Sequence, residues 1–377
     1  MARTVPPGND RVLTRASLNR ALLARQLLLK RHRRSPAAAI ELLVGLQAQS
    51  PQDPYVALWS RLEGFSPDTL SRLIAGRAAV RLAMMRSTIH LVTASDCAGL
   101  RPLLQPAIER SMQGTFGKRL AGLDLTQLAV AGRELVADRP LTLGEIGAAL
   151  AKRWTGRDPS ALANAVRALV ALVQPPPRGL WRSSGAARHT TAEAWLGLTP
   201  AAASLPDAMV RRYLAAFGPA SVADVQVWSG LTRINEVVNR LRPTLRTFRD
   251  EQGRELFDVP RGPQPDPDTP APPRFLPEYD NILLSHADRT RIVDDVHRLR
   301  LIEANRPAPA VLVDGFVAAT WSIETKGPRT TVTVRPFARL AARDLAAVEE
   351  EGERLAAFLA PESTHRRVVF AAAVSPT

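Results

Sequence analysis

Two glutamines have the residue type and spacing that most suggest chemistry in this sequence. Gln47 and Gln49 stand in the stretch Gly45-Leu-Gln-Ala-Gln-Ser-Pro51, between an apolar helical pattern and the prolines Pro51 and Pro54. Proline disfavours helical backbone at the residue before it, so we expect an extended segment here. Residues two apart on extended backbone share a side, so both amides can converge on one point. Spacing alone leaves a second interpretation open, in which the two side chains only cap the helix end or a turn.

Other patterns of catalytic or metal-binding residues are absent from the sequence. It has no glycine-rich phosphate loop, no G-x-S-x-G turn and no H-E-x-x-H motif. The six histidines are dispersed, and no two have the spacing of metal ligands. The single cysteine, Cys97, excludes an internal disulfide and a cysteine-based zinc site. We therefore expect no metal and no cofactor.

The charge balance indicates a polyanionic partner. The 377 residues include 50 Lys and Arg against 36 Asp and Glu, which gives a formal net charge of +14 and favours nucleic acid as the partner. Apolar runs stay far below the roughly 20 residues that span a bilayer, and the N-terminus has no uninterrupted apolar stretch of a signal peptide. We expect a cytoplasmic protein that associates with the nucleoid through DNA and has no membrane partner.

The N-terminal segment is strongly basic. Residues 1–35 hold nine Lys or Arg, Arg25 among them, and one acid, Asp10. Ser17 is the expected N-cap of an amphipathic helix over Leu18–Lys30. Two interpretations are open: a basic arm that touches DNA phosphates, or a solvated helix with disordered flanks.

Three stretches repeat one order of elements: short helix, turn, second helix and β-hairpin. This order is that of a winged helix. The third stretch is the clearest. It has a helix over Pro206–Phe217, a capping-box start at Ser221, a helix capped by Thr232, and a hairpin with its turn near Gly253.

The other two copies are more degenerate. In the second, Thr142 begins a helix with a capping box; in the first, a hairpin is expected over Val80–Val92. The predicted units are residues 1–93, winged helix 1 with the basic arm and both glutamines; residues 94–205, linking helices and winged helix 2; and residues 206–259, winged helix 3.

Strand patterns dominate the C-terminal part. Residues 260–277 are rich in proline and predict a linker or long surface loop. In residues 278–377, Asp314-Gly315 is a strong hairpin signal, and Leu345–Leu359 predicts an amphipathic helix before a closing strand over Arg367–Val374. The fold class is therefore α+β, with a small antiparallel barrel or curled sheet at the C-terminus.

Five sequence blocks, spread in order over nearly the whole chain, carry a family resemblance. They are Leu18-Asn-Arg-Ala-Leu-Leu-Ala-Arg-Gln26, Gly45-Leu-Gln-Ala-Gln-Ser-Pro51, Met85-Arg-Ser-Thr-Ile-His-Leu-Val92, Phe217-Gly-Pro-Ala-Ser-Val222 with Trp228-Ser-Gly-Leu231, and Leu276-Pro-Glu-Tyr-Asp-Asn281 with His286-Ala-Asp-Arg289. In these blocks the chain resembles the AlkZ/YcaQ-like family of winged-helix DNA glycosylases.

The resemblance implies tandem winged-helix (helix-turn-helix) repeats followed by a C-terminal β-barrel, around a basic concave channel. It also implies that Gln47 and Gln49 are the catalytic residues and hold the hydrolytic water. With two glutamines, the chain resembles the branch that unhooks bulky N7-guanine adducts and interstrand crosslinks made by antibiotics; the YcaQ-like branch has an aspartate where Gln49 stands. The implied partner is alkylated or crosslinked double-stranded DNA, in repair of alkylation damage or in antibiotic self-resistance. Tandem repeats within one chain favour a monomer.

The implied reaction suits neutral amides. Alkylation at N7 makes the purine cationic, so the base leaves as a neutral molecule and needs no strong general acid. What remains is to position a water and to tolerate an oxocarbenium-like sugar, which proximity and oriented dipoles can do. No lysine is close to the glutamines in sequence, which favours a monofunctional glycosylase that leaves an abasic site over a Schiff-base lyase.

Five more residues in these blocks are candidates with two open roles each. Arg86 and His90 share a face of the expected strand, where they either contact DNA phosphates or pack beneath the wing. Asp280 and Asn281 are expected to hydrogen-bond a turn that supports the site. Arg289 either touches DNA or pairs with Asp280. Together with Arg25, the residues Arg86, His90 and Arg289 form the predicted set of DNA contacts.

A non-enzymatic winged-helix DNA-binding protein or transcriptional regulator is the alternative. The same repeats and the same positive charge fit it. It predicts strong preference for one undamaged sequence, whereas a glycosylase predicts abasic products and little sequence preference. Product analysis separates the two functions.

Overall fold

Helices and short strands alternate along the chain in the computed structural model, which describes residues 11–197, 206–303 and 306–372. The helices are α1 (Arg15–Arg25), α2 (Pro36–Leu42), α3 (Asp53–Arg61), α4 (Pro67–Ala75), α5 (Ala94–Leu120), α6 (Leu125–Leu135), α7 (Leu143–Arg153), α8 (Pro159–Leu169), α9 (Ala192–Leu196), α10 (Pro206–Phe217), α11 (Val222–Ser229), α12 (Ile234–Leu241), α13 (Asn281–Leu284), α14 (Asp295–Arg298) and α15 (Ala342–Leu359). Short 3-10 turns cover Met85–Ser87, Arg242–Thr244 and Leu299–Leu301.

The strands are mostly short. They are β1 (Val12–Leu13), β2 (Leu46–Gln47), β3 (Ala79–Ala83), β4 (Ile89–Thr93), β5 (Leu141–Thr142), β6 (Leu172–Val173), β7 (Arg188–Thr191), β8 (Arg246–Asp250), β9 (Glu255–Asp258), β10 (Arg274–Leu276), β11 (Ile302–Glu303), β12 (Arg306–Pro307), β13 (Ala310–Val313), β14 (Phe316–Lys326), β15 (Arg329–Pro336) and β16 (His365–Phe370). The start of the basic arm (1–10), the end of the second predicted unit (198–205) and the last residues of the predicted closing strand lie outside the described residues.

The first two predicted units share one sheet, with the strand order β2-β4-β3-β6-β7-β5. β3 and β4 form the antiparallel hairpin that was predicted over Val80–Val92. β3 then meets β6 where Leu82 pairs with Val173, and both side chains are fully buried. The sequence repeats did not predict that the hairpin of one unit continues into the strands of the next.

The N-terminal helix differs from its predicted form. Thr14, not Ser17, is the N-cap, and the Thr14 hydroxyl accepts the Ser17 N–H at 3.2 Å. The helix ends at Arg25 rather than at Lys30. The preceding strand β1 pairs in parallel with β8, which adds a third strand to the hairpin of β8 and β9. The basic segment is therefore attached to the third unit from Val12 onward.

Most helix starts in the second and third units follow their local signals. Thr142 and Glu145 form the capping box of α7, and Ser221 and Asp224 form that of α11, as predicted. At α12 the N-cap is Arg233 instead of Thr232, and the Arg233 side chain makes no capping hydrogen bond. Capping boxes are local in sequence, which explains why they could be predicted.

The C-terminal region is a five-stranded sheet in the order β10-β13-β14-β15-β16, with α15 packed against β10, β15 and β16. The turn at Asp314-Gly315 joins β13 and β14, as predicted. β10 lies inside the segment predicted as a linker, and β16 pairs in parallel with β15. In the described part of the chain, the edge strands β10 and β16 do not pair with each other. The predicted barrel is therefore an open sheet, because closure requires two neighbours for every strand.

Two buried ion pairs connect distant parts of the chain. Arg25 of α1 donates to both carboxylate oxygens of Asp258, at 2.7 and 2.8 Å. Arg61 of α3 does the same to Asp280, at 2.8 and 2.7 Å. Both arginine side chains are fully buried. The second pair holds α3 against the segment that enters α13.

Candidate active site

Gln47 lies in the two-residue strand β2, which follows a tight turn after the end of α2. At this turn Gly45 has φ +92°, and a Cβ there would lie 2.8 Å from a methyl group of Val92. β2 then pairs with β4, with Gln47 opposite His90. The extended backbone predicted for this segment is present at Leu46 and Gln47, whereas Gln49 and Ser50 form a bend. The turn before β2 requires glycine.

Asn281 and Asp280, the two predicted supporting residues, lie against this strand. The Asn281 amide oxygen accepts the Gln47 N–H at 3.4 Å, and its NH2 donates to the Gly45 carbonyl at 2.7 Å. The Asp280 carboxylate caps α13 by accepting the Ile282 N–H at 3.2 Å. Since Asp280 is also paired with Arg61 and is buried, the support comes from a rigid segment.

The two glutamine amides have defined orientations. The Gln47 carbonyl oxygen accepts from the Arg86 guanidinium at 2.5 Å, and the Gln49 carbonyl oxygen accepts the Ile89 N–H at 3.3 Å. Both partners are donors only, so each amide must turn its oxygen toward the protein. Among the described residues, neither side-chain NH2 donates to a protein acceptor. Gln47 is buried and Gln49 is exposed.

Arg86 reaches Gln47 from a strained turn between β3 and β4. Its backbone lies in the left-handed region, with φ 55° and ψ 21°, which is uncommon for residues other than glycine. Its guanidinium also donates to the Trp228 carbonyl at 3.4 Å. Burial and the nearby charge of Arg289 lower the pKa of Arg86 to about 10. Arg86 is therefore still protonated at neutral pH, with an amide rather than a carboxylate as its partner.

Arg289 lies beside Arg86 at the edge of a groove. The charge of Arg289 helps to lower the pKa of Arg86, whereas burial and the charge of Arg298 lower the pKa of Arg289. The groove has a volume of about 370 Å³ and is lined mostly by apolar side chains, including Leu283, Val293 and Leu301, together with Arg289 and Arg298. Like charges side by side favour the binding of an anion between them. The alternative pairing of Arg289 with Asp280 is not formed, since Asp280 binds Arg61.

His90 and Arg25, two of the predicted DNA contacts, are buried. The His90 Nδ1–H donates to the Thr88 carbonyl at 3.0 Å, and burial together with the charge of Arg86 lowers the pKa of His90 to about 3. Arg25 is enclosed by Asp258 and by the Leu214 and Pro263 carbonyls. Of the predicted contacts, only Arg86 and Arg289 have partly exposed side chains.

Two carboxyl groups beside the glutamine loop were not among the predicted residues. Asp53 is the first residue of α3 and is buried. Burial and the charge of Glu278 raise the pKa of Asp53 to about 8. Arg81 supports the same loop, because its guanidinium donates to the Ala48 carbonyl at 2.9 Å. The short distance along the chain from Gln49 to Asp53 was the only sequence signal for Asp53, and Glu278 had none beyond its place in the block Leu276-Pro-Glu-Tyr-Asp-Asn281.

Comparison with protein families identifies the chain. The family model described as DNA glycosylase AlkZ-like matches residues 40–358. The chain belongs to the AlkZ-like DNA glycosylase family. It is therefore a DNA glycosylase with a DNA substrate, which favours the enzymatic interpretation over a transcriptional regulator. The matched residues include the strand with Gln47, Arg86 and the supporting segment at Asp280.

A solved structure shows the same fold. The DNA glycosylase AlkZ of Streptomyces sahachiroi superposes with a TM-score of 0.76 over 96% of this chain and 99% of its own, at 18% sequence identity. Comparison with curated proteins gives no match. The likeness shows that the mixed α and β architecture of this AlkZ-like chain is shared over almost its full length.

Across residues 11–197, 206–303 and 306–372, no three His, Cys, Asp or Glu side chains are grouped so that they could hold a metal ion. In the same ranges, no helix is both long enough and apolar enough to cross a bilayer.

Proposed function

We propose that this glycosylase hydrolyses the N-glycosidic bond of N7-alkylated purines in double-stranded DNA, bulky adducts and interstrand crosslinks included, with a water held by Gln47 and Gln49. The observation that carries the proposal is the fixed orientation of both amides, that of Gln47 on β2 and that of Gln49 in the bend that follows it. The Arg86 guanidinium and the Ile89 N–H each occupy one lone pair of a carbonyl oxygen. Each oxygen keeps a second lone pair, and each NH2 keeps its hydrogens for a solvent molecule or substrate.

The leaving group explains why neutral side chains suffice. A purine alkylated at N7 is cationic, and cleavage of the bond between C1′ and N9 returns the electron pair to N9, so that a neutral base departs. The protein then has to place one water beside C1′ and to stabilise positive charge on the sugar. Oriented dipoles held before the reaction supply such stabilisation without reorganisation.

Recognition of the duplex is assigned to the helices and to two arginines. The pairs α7–α8 and α11–α12, each followed by strands, support the proposal of winged-helix units. Arg86 and Arg289 carry neighbouring positive charges, which a DNA phosphate would relieve. The apolar groove beside Arg289 is open to the surface and suits the planar apolar part of a bulky adduct better than an enclosed flipping pocket would.

A monofunctional reaction is favoured by where the lysines lie. The chain has Lys30, Lys118, Lys152 and Lys326, and within the described residues none of them donates a hydrogen bond to Gln47 or Gln49. Schiff-base chemistry needs an amine that can reach C1′. Hydrolysis by water is therefore the proposed path, and an abasic site is the product.

The test is base release from a duplex that contains a single N7-methylguanine, and then from one with a nitrogen-mustard crosslink. We expect the double variant Gln47→Ala/Gln49→Ala to lose about 100-fold or more of the single-turnover rate, as when preorganised donors are removed from an active site. Gln127→Ala, an exposed glutamine on α6, is the matched control and should keep the full rate. Equal rates in the double variant and the wild type would remove the proposed role of both amides.

A further inference from the structure

A cavity at one end of the C-terminal sheet has a strongly positive lining that the proposed function does not use. It has a volume of about 570 Å³ and lies over β14, β15 and β16. Four of its lining residues are cations and one is an acid: Lys326, Arg329, Arg366, Arg367 and Glu324. The acid is paired with Lys326 at 2.9 Å. The three arginines are left, so the lining has a clear excess of positive charge.

Within the part of the chain that the structure describes, these three arginines have no carboxylate partner. Arg367 Nε donates to the Thr331 hydroxyl at 3.1 Å. Arg366 donates to two backbone carbonyls, and the shortest of these hydrogen bonds is 2.6 Å. Arg329 is exposed and, in the same described ranges, donates to no protein acceptor. Neutral acceptors do not cancel a charge, so all three guanidinium groups can attract an anion.

The register of the sheet brings the cavity donors together. Arg329 of β15 lies opposite Lys326 of β14, and Thr331, two residues further, lies opposite Arg367 of β16. Residues two apart on a strand share a face, and neighbouring strands are about 4.8 Å apart. The Thr331 hydroxyl accepts from Arg367 and keeps its own hydrogen to donate. Guanidinium groups bind phosphate oxygens through paired hydrogen bonds, so this set of donors suits a phosphate.

The cavity opens on the face of the sheet that also packs against the rest of the protein. One row of paired residues crosses the sheet through Leu276, Ala310, Thr320 and Arg335. Arg335 shares its face with Thr331, four residues earlier on β15. At the other end of the row, Leu276 and Ala310 are buried in the core that includes the hairpin of the first unit. Since α15 covers the opposite face, the cavity is the uncovered part of the face that the glutamine-bearing unit packs against.

The direction of the strands relates the cavity to the glutamines. β10 and β14 are both antiparallel to β13 and therefore run the same way. Beyond Leu276 the chain continues to Asn281, which binds the backbone of Gln47. Lys326 lies six residues beyond Thr320, the residue level with Leu276, which is about 20 Å at about 3.3 Å per residue. At about 3.4 Å per base pair, that span corresponds to about six base pairs of a duplex held at Gln47.

We propose that this cavity binds backbone phosphates of double-stranded DNA, on the arm of the duplex about six base pairs from the lesion. The inference goes beyond the proposed function, which concerns the lesion alone, and rests on it only for where the lesion lies. Among the described residues that line the cavity, none is Phe, Tyr or Trp. Unpaired bases would need such rings to stack on, so the backbone of a duplex is the favoured ligand. Contacts of this kind fix the orientation of the duplex and read no sequence.

The experiment measures, by fluorescence anisotropy, the affinity for a duplex of about 24 base pairs over a series of salt concentrations. The duplex has a central N7-methylguanine whose sugar carries a 2′-fluoro group, which destabilises positive charge at C1′ and keeps the base in place. For Arg329→Gln/Arg367→Gln we expect the slope of log K against log salt to become shallower by about two, one for each lost phosphate contact. Arg329→Lys/Arg367→Lys keeps both charges and should restore most of the wild-type slope.

Two controls separate a local contact from net charge and from the lesion. Arg343→Gln/Arg354→Gln removes the same two charges from α15, where both arginines are paired with acidic residues, and should change the slope by less than about half a unit. A duplex of about 10 base pairs with the same central lesion ends before the cavity. Arg329→Gln/Arg367→Gln should therefore bind this short duplex as tightly as the wild type does.

Three results would overturn the proposal. They are a slope for Arg329→Gln/Arg367→Gln within about half a unit of the wild type, an equal change in the α15 control, and an equal loss of affinity on the short duplex. Base release by the wild type is measured separately from binding. If the wild type releases no alkylated base while the difference in slope persists, the proposed function fails and the phosphate site in the cavity is retained.

Discussion

Arg25 and Arg86 are both predicted DNA contacts, yet the structure places them in opposite electrostatic environments. Arg25 donates two hydrogen bonds to the carboxylate of Asp258 and two more to backbone carbonyls. Arg86 meets an amide oxygen and a single carbonyl, beside a second arginine. An arginine whose charge is neutralised by a buried carboxylate stabilises the fold. An arginine that has only neutral hydrogen-bond acceptors keeps a positive charge that can attract an anionic ligand. The comparison gives a physical criterion for the many arginines of this chain.

The largest expected effect is on the compensated pair. Arg25→Ala leaves the Asp258 carboxylate buried without its partner, and we expect the free energy of unfolding in urea to fall by about 3–5 kcal/mol. Arg72→Ala, an exposed arginine of α4, is the control and should be nearly neutral. A loss below about 1 kcal/mol for Arg25→Ala, within the range of ordinary surface changes, would show that the pair does not hold α1.

The pH dependence of stability should reveal the buried imidazole beside Arg86. His90 has a pKa of about 3 in the folded protein against 6.5 for the free side chain. Below pH 6.5 the unfolded chain therefore binds a proton that the folded chain does not. We expect the unfolding free energy to fall as the pH decreases from about 6.5 toward 3. His90→Asn should make this fall shallower, while His365→Asn, an exposed histidine of β16, should not. A slope unchanged in His90→Asn would contradict the burial of a neutral ring.

The smallest effect on stability is expected at Arg86. Arg86→Gly removes an uncompensated guanidinium and relieves a left-handed backbone, a conformation that costs about 1–3 kcal/mol for other residues. Unfolding free energy should stay equal or rise by up to about 1 kcal/mol. Base release should nevertheless slow at least tenfold, because the Gln47 oxygen loses the donor that orients it. If Arg86→Gly is destabilised as strongly as Arg25→Ala, the two arginines do not differ in kind.

Features that depend on a few neighbouring residues could be predicted from the sequence. The capping boxes at Thr142 and Ser221 and the turn at Asp314-Gly315 are confirmed, since each needs only residues within reach along the chain. Ser17 failed as a cap because Thr14 offers the same hydroxyl three residues earlier. The barrel failed because pairing between β10 and β16 depends on strands far apart in sequence.

In the candidate site too, local features could be predicted from the sequence, whereas contacts between distant residues could not. The prolines predicted an extended segment, which the structure shows at Gln47 but not at Gln49 and Ser50, where the chain bends. The contact of Gln47 with Arg86, the burial of His90 and the contact of Gln47 with Asn281 depend on β2 pairing with β4 and on the packing of a segment more than 200 residues away. Sequence patterns treat every arginine as exposed. They therefore cannot tell Arg25 from Arg86.

The sheet that runs from β2 to β5 has a mechanical consequence. Leu82 and Val173 join the hairpin of the first unit to the strands of the second. These two units therefore share one sheet and are not separate domains joined by a flexible linker. A double helix bound across both units therefore meets a surface that does not hinge at this junction, and any change of shape needed for close contact falls on the DNA. The energy needed to distort DNA is lower where damage has weakened stacking.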